Sequence, residues 1–73
     1  MARIEVESEV TGNVWKVLLE TGAQVAQGEV IMILESMKME IPVESPADGT
    51  LVELKVAPED QVEEDQVVAV IES

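Results

Sequence analysis

Residues 8–36, SEVTGNVWKVLLETGAQVAQGEVIMILES, lie on residues 45–73, SPADGTLVELKVAPEDQVEEDQVVAVIES, without a gap. The shared offset matches Ser8 with Ser45, Gly12 with Gly49, Gln24 with Gln61, Val25 with Val62, Val30 with Val67, Glu35 with Glu72 and Ser36 with Ser73. Between these identities, Val17 falls on Leu54, Ile31 on Val68, Ile33 on Val70 and Leu34 on Ile71. Such matching marks two copies of one supersecondary unit. Two copies are too few for a solenoid, so the expectation is one domain over residues 1–73, closed about a pseudo-two-fold axis, each half burying the apolar face of the other.

Valine and isoleucine dominate the apolar residues, and β-branched side chains fit a pleated surface better than a helix. No segment carries helical periodicity, and an all-β fold follows. Strands are expected at 3–7, 13–20, 29–35, 39–44, 50–56 and 66–72, with short ones at Gln24-Val25 and Gln61-Val62. Val52, Leu54 and Val56 alternate with Glu53 and Lys55, which predicts an inward and an outward face. By the repeat, Trp15, Val17 and Leu19 should also point inward. Trp15, the only aromatic residue, is therefore assigned to the core.

Gly12 and Gly49 precede equivalent strands, at a backbone position where a side chain is unwelcome. Gly22 and Gly28 have Glu59 and Asp65 as counterparts. Aspartate tolerates positive φ and glutamate does so poorly, so the second-half turn near Glu59 should be either remodelled or strained. Pro42 inside a strand places that strand at an edge or at a bulge.

Seventy-three residues make a small domain with a modest core, which argues against a large catalytic cleft. The absence of cysteine and histidine removes the thiolate nucleophile, the disulfide framework and the commonest metal ligands. A net charge of -12 repels nucleic acid phosphates and anionic lipid. The longest aliphatic run, Val30 to Leu34, is too short to span a bilayer, and no signal-peptide pattern is present. A cytoplasmic protein without nucleic acid or membrane partners is expected. Glu59, Asp60, Glu63, Glu64 and Asp65 lack the spacing of a calcium loop and read as a solvated rim.

Lys38 stands apart. It lies in Glu35-Ser36-Met37-Lys38-Met39-Glu40, at the junction of the two halves, and only two other lysines exist. If the flanking strands follow each other directly, the junction is a tight hairpin, whose central residues need positive φ and normally recruit Asn or Gly. Methionine and lysine there break a local rule, as functional sites often do.

Glu35-Ser36-Met37-Lys38-Met39 resembles the attachment motif of the biotinyl and lipoyl domain family. Thr21 to Gly28 is similar to the family's glycine-punctuated turn, and Ser45-Pro46-Ala47-Asp48-Gly49 to its re-entry into the second half. The resemblance implies a flattened barrel (a barrel-sandwich hybrid) of two four-stranded sheets, with the lysine at a hairpin tip and both chain ends at the opposite pole. It also implies that Lys38 receives biotin from a biotin protein ligase, with Glu35, Ser36, Met37 and Met39 shaping the hairpin and the ligase's recognition. The implied role is a carrier and not an enzyme, moving a carboxyl group between biotin carboxylase and carboxyltransferase components. Lipoyl domains share the fold and the lysine, typically with an acidic residue before it and a small one after it. Met37 and Met39 favour biotin. The competing readings are a lipoyl carrier, served by lipoyl-attaching enzymes in an acyl- or electron-transferring complex, and an unmodified interaction module.

Overall fold

The structure is a computed structural model and describes residues 2–73. Eight strands follow in order: β1 (Arg3–Glu7), β2 (Gly12–Val17), β3 (Gln24–Val25), β4 (Val30–Ser36), β5 (Met39–Glu44), β6 (Gly49–Leu54), β7 (Gln61–Val62) and β8 (Val67–Glu72). They form two four-stranded sheets, ordered β1-β8-β6-β3 and β5-β4-β2-β7, with antiparallel pairing throughout. The expected strands are present, with ends displaced by one to three residues where bulges and turns cut in.

Each sheet takes two strands from each half, so the halves interlock and neither can close a core alone. The offset carries β1 onto β5, β2 onto β6, β3 onto β7 and β4 onto β8. The repeat therefore extends beyond residue 8: Ile4 lies on Ile41, Val6 on Val43 and Glu7 on Glu44. Residues 2–36 match 39–73, and among the described residues only Met37 and Lys38 have no counterpart.

Hydrogen bonds repeat with the sequence. Ser8 Oγ donates to the Val10 carbonyl at 2.6 Å, as Ser45 Oγ does to the Ala47 carbonyl at 2.6 Å, so both buried serines are satisfied. The Gly28 amide donates to the Ser45 carbonyl, as the Asp65 amide does to the Ser8 carbonyl. φ is +98° at Gly22 and +77° at Glu59, then +87° at Gly28 and +71° at Asp65. The second-half turns are thus retained and strained, not remodelled.

Trp15 is not in the core. It is 48% exposed because β2 pairs Val14 with Leu34 and then Lys16 with Ile33, leaving Trp15 as the extra residue of a bulge. Val52 occupies the same bulge in β6, between Leu51 and Glu53. A bulge shifts the inward and outward phase by one residue, so the core anchors are Val14 and Leu51, fully buried, where simple alternation placed Trp15 and Val52. A second pair of bulges skips Ile31 in β4 and Val68 in β8. These bulges let Ile31 and Met32, and likewise Val68 and Ala69, all lie buried. The run Val30 to Leu34 thereby finds its cover inside this chain, except for half-buried Val30 and Ile33.

Gly12 and Gly49 each sit tightly against the neighbouring strand of their own sheet, β4 and β8. A Cβ on Gly12 would collide with the Glu35 carbonyl oxygen, and one on Gly49 would come within 2.6 Å of the Glu72 carbonyl oxygen. Pro42 lies in β5, an edge strand, where a missing N–H leaves no gap in the ladder.

Candidate functional site at the β4–β5 hairpin

β4 and β5 pair from Val30 with Glu44 to Ser36 with Met39, leaving two residues in the loop. Both have positive φ, +52° at Met37 and +64° at Lys38, as a type I′ turn requires. Neither is glycine, and left-handed backbone costs other residues about 1–2 kcal/mol each. The long ladder behind the turn holds it closed. Ser36 ties the tip to the segment leading into β2 by donating its Oγ hydrogen to the Thr11 carbonyl at 2.8 Å.

All five site residues expected from the sequence are brought together here. Lys38 is exposed, and among the described residues it makes no ion pair. Met37 is 92% exposed and Met39 63%, so neither thioether contributes to the core. Glu35 faces Glu40 across the hairpin, and both are exposed. The arrangement presents a primary amine, without an ion-pair partner among the described residues, at the tip of a rigid strand pair. A covalent group joined there meets no wall.

The chain ends lie elsewhere. The Ser73 amide donates to the Ala2 carbonyl at 2.9 Å, and the Ala2 amide to the Ser73 carbonyl at 3.2 Å. From that pair β1 runs its five residues, about 17 Å, before the link to β2 arrives beside Ser36. The Ala2–Ser73 pair and Lys38 thus occupy opposite poles.

The family model described as biotin-requiring enzyme matches residues 3–72. The chain belongs to the biotin/lipoyl family. It is 41% identical over 63 residues to the biotin/lipoyl attachment protein of Bacillus subtilis, covering 86% of each chain. It is 36% identical over 67 residues to a biotinylated protein TB7.3 homolog of Mycobacterium leprae, covering 92% of this chain and 94% of that one. Among solved structures, the urea carboxylase of Kluyveromyces lactis superposes with a TM-score of 0.92 at 32% identity, over 97% of this chain and 6% of that one. The family's flattened barrel is therefore the fold observed here. No helix among the described residues is long and apolar enough to cross a membrane.

Three residues beside the tip, Asn13, Gln61 and the outward-facing Trp15, escaped sequence reasoning. Gln61, Asn13, Glu35 and Glu40 form a cross-strand row over β7, β2, β4 and β5. Trp15 flanks this row on the outer face, with Lys16 Nζ 4.9 Å from its ring centroid. The signal available was the repeat itself, in which Trp15 and Asn13 answer to the smaller Val52 and Thr50.

Proposed function

We propose that Lys38 carries biotin, attached by a biotin protein ligase, and that the domain ferries carboxyl groups between a biotin carboxylase and a carboxyltransferase in the cytoplasm. One observation carries this reading: among the described residues only Met37 and Lys38 fall outside the repeat, and they form an exposed, strained turn with the lysine amine at its tip. The residues present fit the group. Lys38 Nζ is open to a ligase, the flanking Met37 and Met39 side chains stand free for recognition, and Glu35 and Ser36 fix the strand end that aims the lysine.

Attachment requires Nζ to lose a proton and attack the carbonyl of an activated acyl adenylate. The amide C–N bond forms, the acyl–phosphate bond breaks and AMP leaves. Among the described residues no carboxylate forms an ion pair with Lys38 Nζ, so the base is assigned to the ligase. Lys38 would hold the group through that amide, and the group would supply a carrier for a carboxyl passed from one active site to another. The chain contributes reach, exposure and a high effective concentration of the arm. Its acidity disfavours sticky complexes and suits brief docking.

The test is intact mass after co-expression with a biotin ligase. One biotinyl increment is expected, and none in Lys38→Arg. An increment retained in Lys38→Arg, or none in the parent, overturns the assignment. Lipoate remains the second reading because the similar Bacillus subtilis protein is named for both groups. A lipoyl increment in protein from native cells decides for it.

A further inference from the structure

The pseudo-symmetry supplies an internal control for the surface around Lys38. Below the hairpin, Asn13, Val14, Trp15, Glu35, Glu59 and Gln61 enclose a shallow cleft of about 340 Å³. The equivalent surface beside the chain ends is lined by Gln24, Thr50 and Glu72, the counterparts of Gln61, Asn13 and Glu35. There Val52 stands in place of Trp15 and is only half exposed. The fold is therefore content with valine and threonine at these positions. Only the pole bearing Lys38 carries the indole and the second carboxamide.

We propose that this cleft is a resting site for the tethered biotin ring, with Trp15 as its stacking face and Asn13 and Gln61 as partners of its urea edge. The proposal rests on the biotinylation of Lys38. Biotin presents a thioether ring, which packs well on an aromatic face, and a urea with one carbonyl acceptor and two N–H donors. Asn13 and Gln61 are cross-strand neighbours, and each carboxamide donates from its NH2 and accepts at its oxygen, matching that edge. Glu35 borders the same cleft and accepts from a urea N–H. Reach is sufficient: Glu35 precedes Lys38 by three residues, about 10 Å along the strand, and Asn13 is the strand adjacent to it. An extended lysine covers more than half of that distance and the acyl chain the remainder. The bulge is what aims Trp15 outward, so the same irregularity that removed it from the core places it in the cleft.

Trp15 is also the only Trp in a chain without Tyr or Phe, so ultraviolet emission reports this one ring. Intact mass first separates unmodified from fully biotinylated protein; emission and acrylamide quenching of the two are then compared. Biotinylation is expected to blue-shift the emission and lower the quenching constant about two-fold, as for a ring covered at least half the time. In biotinylated Asn13→Ala/Gln61→Ala, which keeps Trp15 and Lys38, both readouts should return to the unmodified values. A biotinylated protein whose Trp15 emission and quenching equal those of the unmodified form overturns the resting site while leaving the carrier reading intact. A double variant that keeps the full shift overturns the urea contacts. Absence of any mass increment overturns both readings together.

Discussion

The hairpin pole and the chain-end pole are built from the same residues and do different things. At one, Ser36 pairs with Met39 through a two-residue turn; at the other, their counterparts Ser73 and Ala2 exchange the same backbone hydrogen bonds across an open junction. Gly12 lets β2 start close beside Glu35 of β4 as Gly49 lets β6 start close beside Glu72 of β8. The strand framework is thus duplicated, and the proposed attachment point falls on the two described residues that are not. The duplicated parts should respond alike to mutation, and the unduplicated ones should be free to change without harming the fold.

Gly12→Ala and Gly49→Ala should give the largest effects. In each, the new Cβ meets a backbone carbonyl that has no rotamer to relieve it, so a loss of about 3 kcal/mol or more is expected at both poles. Urea unfolding measures it. A large loss in one and none in the other would break the equivalence of the poles. The Gly12 change should also blunt biotinylation in its folded fraction, since it displaces Glu35 and Ser36.

Met37→Asn should act in the opposite direction. Asparagine tolerates the left-handed region that Met37 occupies at φ +52°, so a gain of up to about 1 kcal/mol is expected, with slower modification by the ligase. That pairing of better folding with poorer attachment is what a strained functional turn predicts. If Met37→Asn is modified as fast as the parent, Met37 is not part of ligase recognition.

Glu59→Gly restores the residue that the first half uses at the same turn. Relief of left-handed strain, set against the flexibility glycine adds to the unfolded chain, leaves a gain of less than about 1 kcal/mol. Asp65→Gly should gain less, because aspartate adopts positive φ more readily. The reciprocal Gly22→Ala should lose a comparable amount, and thermal melts of the three rank them.

Much of this organisation was legible in the chain. The offset from Ser8 to Ser45 announced the pseudo-two-fold, Pro42 announced an edge, and Met37-Lys38 between strands announced an unusual turn. What stayed hidden came from bulges. Alternation assumes one residue per step of the ladder, and Trp15 and Val52 are extra residues in it, so the periodic reading put them inside and overlooked Val14 and Leu51. The match of β1 with β5 was masked by two dissimilar pairs, Arg3 with Glu40 and Glu5 with Pro42, although Ile4, Val6 and Glu7 recur unchanged. The cleft beside Lys38 was invisible for another reason: Asn13, Glu35 and Gln61 become neighbours only through the register of three strands.

The smallest effect concerns a pair the repeat treats unequally. Lys16 lies over Trp15, and its counterpart Glu53 instead meets Lys55 Nζ at 3.3 Å and Arg3 at 2.6 Å. Hydrogen bonding to Lys55, then to Arg3, holds the Glu53 carboxyl below its ordinary range. A carboxyl depressed in the folded state binds its proton less readily there than in the unfolded chain. Its stabilisation is therefore present at neutral pH and is lost as pH falls through the carboxylate range toward the folded value. The side chains are largely exposed, so screening keeps the contribution small. Glu53→Gln should remove that part of the acid dependence, and the parent and variant should converge in stability once the parent carboxyl is protonated. Salt should weaken the difference at neutral pH, even though it strengthens the whole domain by screening a net charge of -12. Opposite responses of the pair and of the domain to the same salt titration distinguish a local ion pair from the global repulsion. A neutral-pH difference that salt leaves untouched would place the role of Glu53 in packing instead.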